Sequence, residues 1–209
     1  MARELPPRAL RYALLKHANR WLRPGDNRFE FERLYLENAD PWDVRGSAYE
    51  QEKYRQTLAI ILEHRRSHER VLEVGCSIGS FTAMLAEHFA EVVASDFSAE
   101  AIACAAEYCR GAGNIRFIRS ELQSLRLAAG FDVIVCAEIL YYIAERHARA
   151  VCTQLQHFLA PDGIIAMVGA ADAEPDFWET SLAGKFRPVR TEIVAGNDRP
   201  YKIVLFEHL

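Results

Sequence analysis

Two short apolar segments of the chain end in residues that could bind a nucleoside. The first, Val71-Leu-Glu-Val-Gly75, carries Glu73 and continues through Cys76-Ser-Ile-Gly79 into a helical pattern. The second spans residues 91–96 and ends in Asp96. A strand that stops at a glycine turn before a helix leaves backbone N–H groups pointing at a ligand, and a carboxylate about 20 residues further on can bind ribose hydroxyls. The spacing therefore predicts a nucleoside-like cofactor.

The glycine turn differs from the one that binds dinucleotides. It has no middle glycine of the G-x-G-x-x-G pattern, which a pyrophosphate needs for close approach of the backbone, and it lies far from the first residue. The Glu73 carboxylate would lie close to a bound phosphate, and two anions repel each other. The same carboxylate suits an ammonium group, directly or through the turn. These features disfavour a nicotinamide-dependent oxidoreductase and favour a cofactor without phosphate.

The elements that must position these residues alternate between apolar strands and helical patterns. Strands are predicted at 71–75, 91–96, 115–119, 131–137, 163–169, 189–194 and 201–206, and helices at 79–89, 99–110, 145–159 and 177–186, with a turn at 161–163. Such alternation favours a parallel sheet covered on both faces, and the short connection 195–200 favours an antiparallel pair at the end. The predicted fold class is α/β, with a doubly wound, mainly parallel seven-stranded sheet and a C-terminal antiparallel hairpin.

The first third of the chain is predicted to form a separate unit. Residues 1–66 are interpreted as an N-terminal helical cap, or lid, with a substrate segment, and residues 67–209 as the cofactor-binding domain. Helices are predicted at 10–21 and 49–64, with less regular structure at 26–48. Residues 1–24 carry six Lys or Arg against one Glu, which suits either a solvated helix face or an arm that attracts an anionic substrate.

Composition excludes several classes of protein. The 209 residues carry a net charge of −4, and no apolar run approaches the ~20 residues that cross a bilayer, so we expect no membrane insertion. One short basic helix is too small a footprint for nucleic acid. The five cysteines lie in apolar patterns without C-x-x-C spacing, which favours reduced thiols and a cytoplasmic protein. The histidines and carboxylates show no convincing metal-ligand spacing, so we expect no metal.

Several motifs together resemble the class I S-adenosylmethionine-dependent methyltransferases, which implies a Rossmann-like fold of that class. They are Glu73-Val-Gly-Cys-Ser-Ile-Gly79 with Asp96, Ser120-Glu-Leu122, and Asp132-Val-Ile-Val-Cys-Ala-Glu138. The chain is more closely similar to the nodulation protein S family of rhizobia, which methylates an amine on a chitooligosaccharide. That likeness covers roughly residues 34–209 and includes Asp40-Pro-Trp42, Tyr49-Glu-Gln-Glu-Lys-Tyr54 and Ala137-Glu-Ile-Leu-Tyr-Tyr142.

The resemblance implies a role for each matching residue around S-adenosylmethionine. Gly75, Cys76 and Gly79 would pass beside its methionine part, and Asp96 would take both ribose hydroxyls. On this interpretation Glu73 and the Ala137 carbonyl suit the ammonium group.

The remaining implied contacts enclose the cofactor. Phe97 and Leu122 would sandwich adenine, and Glu121, where Asp is more usual, would accept from its exocyclic amine. Trp42 and Lys53 would close the pocket. Lys53 would pair with the cofactor carboxylate, at a position where the family usually has Arg. As alternatives, Phe97, Leu122 and Trp42 could be ordinary core residues and Lys53 a solvated helix charge.

The acceptor should lie beyond the carboxyl ends of the strands. We expect Glu138 and Tyr141 to orient it, with Glu138 accepting its proton; alternatively, Tyr141 caps the following helix.

The predicted activity is methyl transfer from S-adenosylmethionine to an amine of a small molecule, for which an amino sugar or oligosaccharide is one candidate. Alternatives are O-methylation of a small acid or hydroxyl metabolite and a non-catalytic cofactor-binding subunit. A segment with Tyr35, Asp40, Trp42, Asp43 and Arg45 could line a sugar site. The same segment could instead close over a small acid or a phosphonate, helped by Arg45 and the basic first helix. The oligomeric state is not readable.

Overall fold

A computed structural model describes residues 28–64, 67–140, 143, 145–171, 182–195 and 199–209. The helices are α1 (Arg28–Glu37), α2 (Ala48–His64), α3 (Ser80–Ala86), α4 (Ala99–Tyr108) and α5 (Glu145–Phe158), with a 3-10 helix at Leu122–Ser124. The strands are β1 (Arg70–Val74), β2 (Glu91–Asp96), β3 (Ile115–Arg119), β4 (Phe131–Ala137), β5 (Leu159–Ala170), β6 (Phe186–Val194) and β7 (Tyr201–His208). No helix in these described ranges has the length and apolar character that a membrane span needs.

The strands form one seven-stranded sheet in the order β3-β2-β1-β4-β5-β7-β6. The first five strands in that order pair in parallel, whereas β7 runs antiparallel to both β5 and β6. The predicted doubly wound sheet with a C-terminal antiparallel hairpin is confirmed. Since β1 lies between β2 and β4, the chain winds outward from β1 in both directions, and the crevice at the carboxyl ends of these strands is where such sheets bind ligands.

Apolar side chains cover both faces of the sheet because successive residues of a strand point to opposite sides. Leu72 and Ile134 face a core that includes Leu155 of α5. Val71 and Val133 face the other core, to which α2 and α3 contribute Leu58, Ile61, Phe81 and Leu85. Glu73 lies two residues after Val71 and therefore faces α3, inside the protein, where a carboxylate needs a compensating partner.

The structure differs from the prediction in two segments, one before α2 and one inside β5. The segment predicted to be irregular contains α1, whose buried residues Phe31, Leu34 and Tyr35 follow helical spacing. The predicted turn at 161–163 lies within β5 instead. There, four residues of β5 lie opposite one residue of β4 between the pairs Phe131–Leu159 and Val133–Ile164. A bulge of this kind accommodates proline and glycine inside a strand.

Other predicted elements lie partly or wholly outside the described residues. The predicted helix at 10–21 and the basic stretch 1–24 are outside them, as is most of the predicted helix at 177–186. The final residue of that prediction, Phe186, begins β6 rather than ending a helix. Phe186 is fully buried against the core, which explains its place in a strand.

Candidate cofactor and active site

The glycine turn after β1 is held in a conformation that favours glycine. Gly75 and Gly79 have φ values of 75° and 81°, and Ser77 between them has a φ of 50°. The N–H groups of Gly75 and Cys76 both donate to the Ser95 carbonyl, at 2.7 and 3.0 Å, which fastens the turn to the end of β2. A Cβ atom on Gly75 would lie 2.2 Å from Cγ2 of Ile139. Only glycine fits there without a shift of Ile139.

Replacing Gly75 by alanine should therefore destabilise the protein. We expect a loss of about 1–3 kcal/mol in the free energy of unfolding, because the new side chain meets both a left-handed backbone and Ile139. The matched control is Gly113→Ala, which adds the same methyl group where nothing lies within 4 Å. Urea denaturation of both variants checks this, and equal changes in the two would contradict the role of the turn.

Asp96, the last residue of β2, links the glycine turn to the start of α4. Its Oδ2 accepts from the Ser77 N–H at 3.0 Å and its Oδ1 from the Ser98 N–H at 2.9 Å. The side chain is buried, and burial raises the pKa of Asp96 to about 6 in spite of these bonds. A carboxylate has about four acceptor positions, so both oxygens can still accept from hydroxyl groups.

Glu73 is the second buried carboxylate of the site. Thr82 Oγ1 on α3 donates to its Oε2 at 2.5 Å. Burial raises the pKa of Glu73 to about 8, and the nearby charge of Asp96 acts in the same direction. At the first position of α3, Ser80 Oγ is buried, and no partner for it is found within the described residues. Two buried carboxylates and a buried hydroxyl suit a ligand that brings hydroxyl groups and a positive charge, and they disfavour a phosphate.

The raised pKa of Glu73 predicts how stability depends on pH. A carboxyl whose pKa is higher in the folded protein binds more protons when folded, so the free energy of unfolding falls as pH rises toward about 8. Asp96 also makes the free energy of unfolding fall as pH rises, but only up to about pH 6. Between about pH 6.5 and 8, the fall should average roughly 1 kcal/mol per pH unit in the ligand-free protein and be smaller in Glu73→Gln. Urea denaturation at both pH values measures it, and equal falls in the two proteins would refute the prediction.

Cys76 lies between these two acids in the turn. Its thiol is buried, and burial raises its pKa well above the usual range, with Asp96 and Glu73 acting in the same direction. It therefore remains a neutral thiol, and its backbone N–H, rather than its sulfur, is the group that shapes the turn.

The residues predicted to surround adenine lie at the neighbouring strand ends. Phe97 directly follows β2 and packs edge-on against Phe31 of α1, with ring centroids 5.6 Å apart. Glu121 and Leu122 follow β3. Leu122 is buried in the main core, so most of its surface is already covered, while Glu121 is half-buried and accepts a hydrogen bond from Gln123. Ala137, the last residue of β4, is also half-buried.

Residues of α1 and of the loop after it form a cap over the glycine turn. The hydroxyl groups of Tyr35 and Ser77 are hydrogen-bonded at 2.7 Å, and Trp42 Nε1 donates to the Tyr35 hydroxyl at 3.3 Å. The Trp42 ring lies 6.0 Å from that of Phe31, which in turn contacts Phe97. Trp42 thus belongs to this cap, and its contact with the cofactor stays a prediction.

Other residues suggested for a sugar site make contacts that hold this cap together. Asp40 accepts from the N–H groups of Val44 and Arg45 at 2.8 and 2.9 Å. Arg45 donates to the Ile78 carbonyl at 3.0 Å, and its guanidinium carbon lies 4.0 Å from the centroid of the Tyr108 ring. Tyr35 is also buried, so this segment has a structural role, and a contact with a sugar stays a prediction.

Glu32 of α1 joins the cap to the N-terminus of α4, and the sequence did not reveal this contact. Its carboxylate accepts from Ser98 Oγ at 2.8 Å and from the Ala99 N–H at 3.2 Å, at the N-terminus of α4. A carboxylate is favourable there because the first N–H groups of a helix have no partner within it. No sequence pattern reveals the contact, because its partners lie more than sixty residues away.

Lys53 is buried, and the alternative that it is a solvated helix charge is wrong. Its Nζ lies 2.8 Å from Oε1 of Glu138 and 2.8 Å from Oε2 of Glu50. Burial lowers the pKa of Lys53, but the two carboxylates outweigh that effect and raise it. Lys53 is therefore a cation that contacts two carboxylates.

Glu138 follows the end of β4 with a left-handed backbone, at a φ of 58°. For a residue other than glycine this conformation costs about 1–2 kcal/mol, so the surrounding structure must hold it. Its N–H donates to the Val168 carbonyl at 2.9 Å, and its side chain is 27% exposed. The next residue, Ile139, packs against Gly75. Glu138 is thus a partly accessible carboxylate beside the glycine turn. Tyr141, the other predicted acceptor residue, lies outside the described residues.

A family profile, two relatives and a solved structure point to the same family. The sequence profile described as Nodulation protein S (NodS) matches residues 25–185. Nodulation protein S of Sinorhizobium fredii (strain NBRC 101917 / NGR234) is 31% identical over 153 residues, which cover 73% of this chain and 70% of that protein. Nodulation protein S of Rhizobium tropici is 32% identical over 158 residues, covering 75% and 66%. The crystal structure of N-methyltransferase NodS from Bradyrhizobium japonicum WM9 in complex with S-adenosylhomocysteine superposes with a TM-score of 0.79 at 26% identity, covering 88% of this chain and 99% of that one.

Proposed function

Because this chain belongs to the nodulation protein S family and is an S-adenosylmethionine-dependent methyltransferase, we propose that it methylates an amine nitrogen of an amino sugar or oligosaccharide. The observation that carries the choice of an amine is the Glu138 carboxylate at the end of β4. It is partly exposed, and the residue after it touches the glycine turn. A carboxylate in this place can bind an amine that arrives as an ammonium ion and can accept its proton.

The residues around the turn fit the methyl donor by their chemistry. Asp96 would accept from the ribose hydroxyls, and Glu73 and the Ala137 carbonyl would face the ammonium group. Gly75 and Gly79 would leave room for the methionine part of the cofactor. Phe97, Glu121 and Leu122 would hold adenine, with Trp42 on the N-terminal side. When bound, S-adenosylmethionine supplies a methyl group on a positively charged sulfur, which is already activated for displacement.

The protein then has to orient the acceptor and take up a proton. Holding a nucleophile in line with the bond that breaks can supply roughly 7–11 kcal/mol of the barrier. A neutral amine needs no strong base, whereas an ammonium ion must first lose a proton. Glu138 performs both tasks in this proposal, since its carboxylate binds the ammonium form and then accepts the proton.

The setting proposed for this reaction is the cytoplasm, with a small-molecule acceptor and no nucleic acid. The five cysteines are free thiols, and Cys76, Cys109, Cys136 and Cys152 are buried. Free thiols of this kind are typical of a reducing compartment.

Radiolabelled methyl transfer to a panel of acceptors tests the proposal. The panel contains a chitooligosaccharide with one free amine, the same compound fully N-acetylated, a simple alkyl amine and a hydroxy acid. We expect label in the first compound and none in the second, because resonance removes the lone pair of an amide nitrogen. Preferred labelling of the hydroxy acid would favour O-methylation, and labelling of none while S-adenosylhomocysteine still binds would favour a non-catalytic subunit.

A further inference from the structure

The start of β7 lies at the same end of the sheet as Glu138. β7 runs antiparallel to β5, and its first residue, Tyr201, lies opposite Ala170 at the carboxyl end of β5. β5 is parallel to β4, where Val168 lies opposite Ala137, the residue before Glu138. The residues just before β7 therefore lie where the carboxyl ends of β4 and β5 meet, which is the end at which such sheets bind ligands.

The backbone at Arg199, just before β7, is held from two sides. The Tyr49 hydroxyl donates to the Arg199 carbonyl at 2.8 Å. The Ala171 N–H donates to the carbonyl of the next residue, Pro200, at 2.9 Å. Tyr49 belongs to α2 and packs edge-on against Tyr201, with ring centroids 5.8 Å apart. α2 and the end of β5 thus fix the point from which the Arg199 side chain extends.

The Arg199 side chain extends toward the surroundings of Glu138. Its guanidinium carbon lies 5.5 Å from the centroid of the Tyr49 ring, and its Nη2 lies 3.9 Å from Oε1 of Glu50. The Lys53 ammonium in turn lies 2.8 Å from a carboxylate oxygen of both Glu50 and Glu138. The side chain of Arg199 is 39% exposed and that of Glu138 is 27% exposed. A partly accessible cation therefore lies near the partly accessible carboxylate.

The pKa of Tyr49 shows the same proximity. Burial raises this pKa, and four nearby charges act on it, two cations that lower it and two carboxylates that raise it: Lys53, Arg199, Glu50 and Glu138. Arg199 and Glu138 are thus both close enough to act on one hydroxyl group. Because the pKa is raised, Tyr49 stays a phenol and keeps the proton that it donates to Arg199.

A guanidinium and a carboxylate at two positions suit an acceptor with two different groups. The guanidinium has five N–H donors in a planar fork and no acceptor, so it binds oxygen atoms and repels an ammonium group. The carboxylate of Glu138 binds the ammonium form of the amine in the proposed reaction. The carbonyl of an N-acetyl group is an uncharged oxygen acceptor, and a chitooligosaccharide with one free amine carries it on the neighbouring sugar.

We propose that Arg199 determines acceptor specificity by donating hydrogen bonds to an N-acetyl carbonyl on the sugar next to the one that carries the amine, and that Tyr49 positions Arg199 for this contact. The inference rests on the proposed function, which assigns the amine to Glu138. It extends the acceptor site from one sugar to two.

Kinetics with two acceptors of different length test this contact. The first is glucosamine, and the second is the disaccharide of glucosamine and N-acetylglucosamine with one free amine. Arg199→Met should raise the KM of the disaccharide about tenfold, because a hydrogen bond from a charged group is lost. The KM of glucosamine and both kcat values should stay within about twofold, since the contact is the same before and in the transition state. An unchanged KM of the disaccharide, or equal changes for both acceptors, would overturn the proposal.

The matched control for Arg199 is Arg187→Met. Arg187 is also an exposed arginine of this hairpin and pairs with Glu207 at 3.0 Å. Glu207 lies opposite Ile164, toward the amino end of the parallel strands, so this control removes an ion pair far from the acceptor. We expect no change in either KM, and a tenfold rise for the disaccharide in this variant would attribute the effect to the hairpin as a whole.

Tyr49→Phe tests the positioning role because it removes the hydroxyl and keeps the ring. We expect the KM of the disaccharide to rise about 3- to 10-fold while that of glucosamine is unchanged. Tyr201→Phe is the control, since the Tyr201 hydroxyl also joins the hairpin to α2, through Gln56 at 2.7 Å. Equal changes for the two acceptors in Tyr49→Phe would show that Tyr49 only supports the fold.

Calorimetry separates this inference from the proposed activity. The disaccharide is titrated into protein saturated with S-adenosylhomocysteine, and Arg199→Met should bind it about tenfold more weakly. Folding is protected, because Glu50 keeps Lys53 at 2.8 Å in this variant, and Arg199→Lys, which keeps the charge without the fork, should recover only part of the affinity. If the unchanged protein binds the disaccharide without methylating it, the proposed function fails and the titration still decides whether Arg199 contacts the sugar. If the unchanged protein binds the disaccharide no more tightly than glucosamine, the inference fails.

Discussion

Asp96→Asn should weaken the binding of S-adenosylhomocysteine by about 10- to 100-fold. Hydrogen bonds to a charged group contribute about 1.5–3 kcal/mol, and each 1.4 kcal/mol corresponds to a factor of ten in affinity. Asparagine keeps the shape of the side chain but loses the charge and one acceptor oxygen. Asp96 is buried and already orients the turn and α4, so its oxygens are fixed before a ligand arrives. Calorimetric titration measures the effect.

The matched control for this change is Asp132→Asn. Asp132 also accepts from two backbone N–H groups, those of Glu69 and Arg70, at 3.0 and 2.9 Å. These contacts lie at the amino end of the sheet, opposite the site, so the control reproduces the structural loss without touching the ligand. Equal losses of affinity in both variants would show that Asp96 acts through stability alone.

Glu138→Gln should lower turnover by about 100-fold or more while the affinity for S-adenosylhomocysteine stays nearly unchanged. A group that moves a proton in the transition state typically contributes 10²- to 10⁴-fold, and an amide cannot accept that proton. Glutamine keeps the length of the side chain and can still accept a hydrogen bond from Lys53 through its oxygen. Steady-state kinetics with a free-amine acceptor, together with calorimetry, measure the two quantities.

Glu91→Gln is the control for the loss of an ion pair. Glu91 pairs with Arg70 at 2.8 Å, at the start of β2 and far from the carboxyl ends of the strands. We expect its turnover to stay within about twofold, as for most surface substitutions. Unchanged turnover in Glu138→Gln would remove Glu138 from the reaction, and a matching loss in Glu91→Gln would attribute the effect to stability.

Much of the fold could be predicted from the sequence because its signals are local. Apolar runs of strand length that alternate with helical patterns predict the sheet, and the connection before Tyr201 predicts the antiparallel end. The turn at Gly75–Gly79 and the acid at Asp96 are local features too, since each marks the end of one strand. The structure places these residues at the carboxyl ends of the neighbouring strands β1 and β2, and their contacts with the cofactor stay predictions.

What the sequence did not reveal depends on contacts between distant residues. Lys53 reads as an exposed helix charge until Glu138, 85 residues further on, is seen beside it. The cap is similar, because Tyr35 reaches Ser77 across 42 residues and Glu32 reaches Ser98 across 66. Neither the left-handed backbone of Glu138 nor the bulge at 160–163 follows from residue type. In each case the tertiary structure, and not local propensity, determines the role of the residue.

The most direct test of the proposed activity locates the transferred methyl group. The protein is incubated with a donor that carries a trideuterated methyl group and with a chitooligosaccharide that has a single free amine, and the product is sequenced by tandem mass spectrometry. We predict one labelled methyl group on that amine nitrogen and no product from the fully N-acetylated compound. Label on an oxygen, or equal labelling of the N-acetylated compound, would contradict N-methylation of an amino sugar.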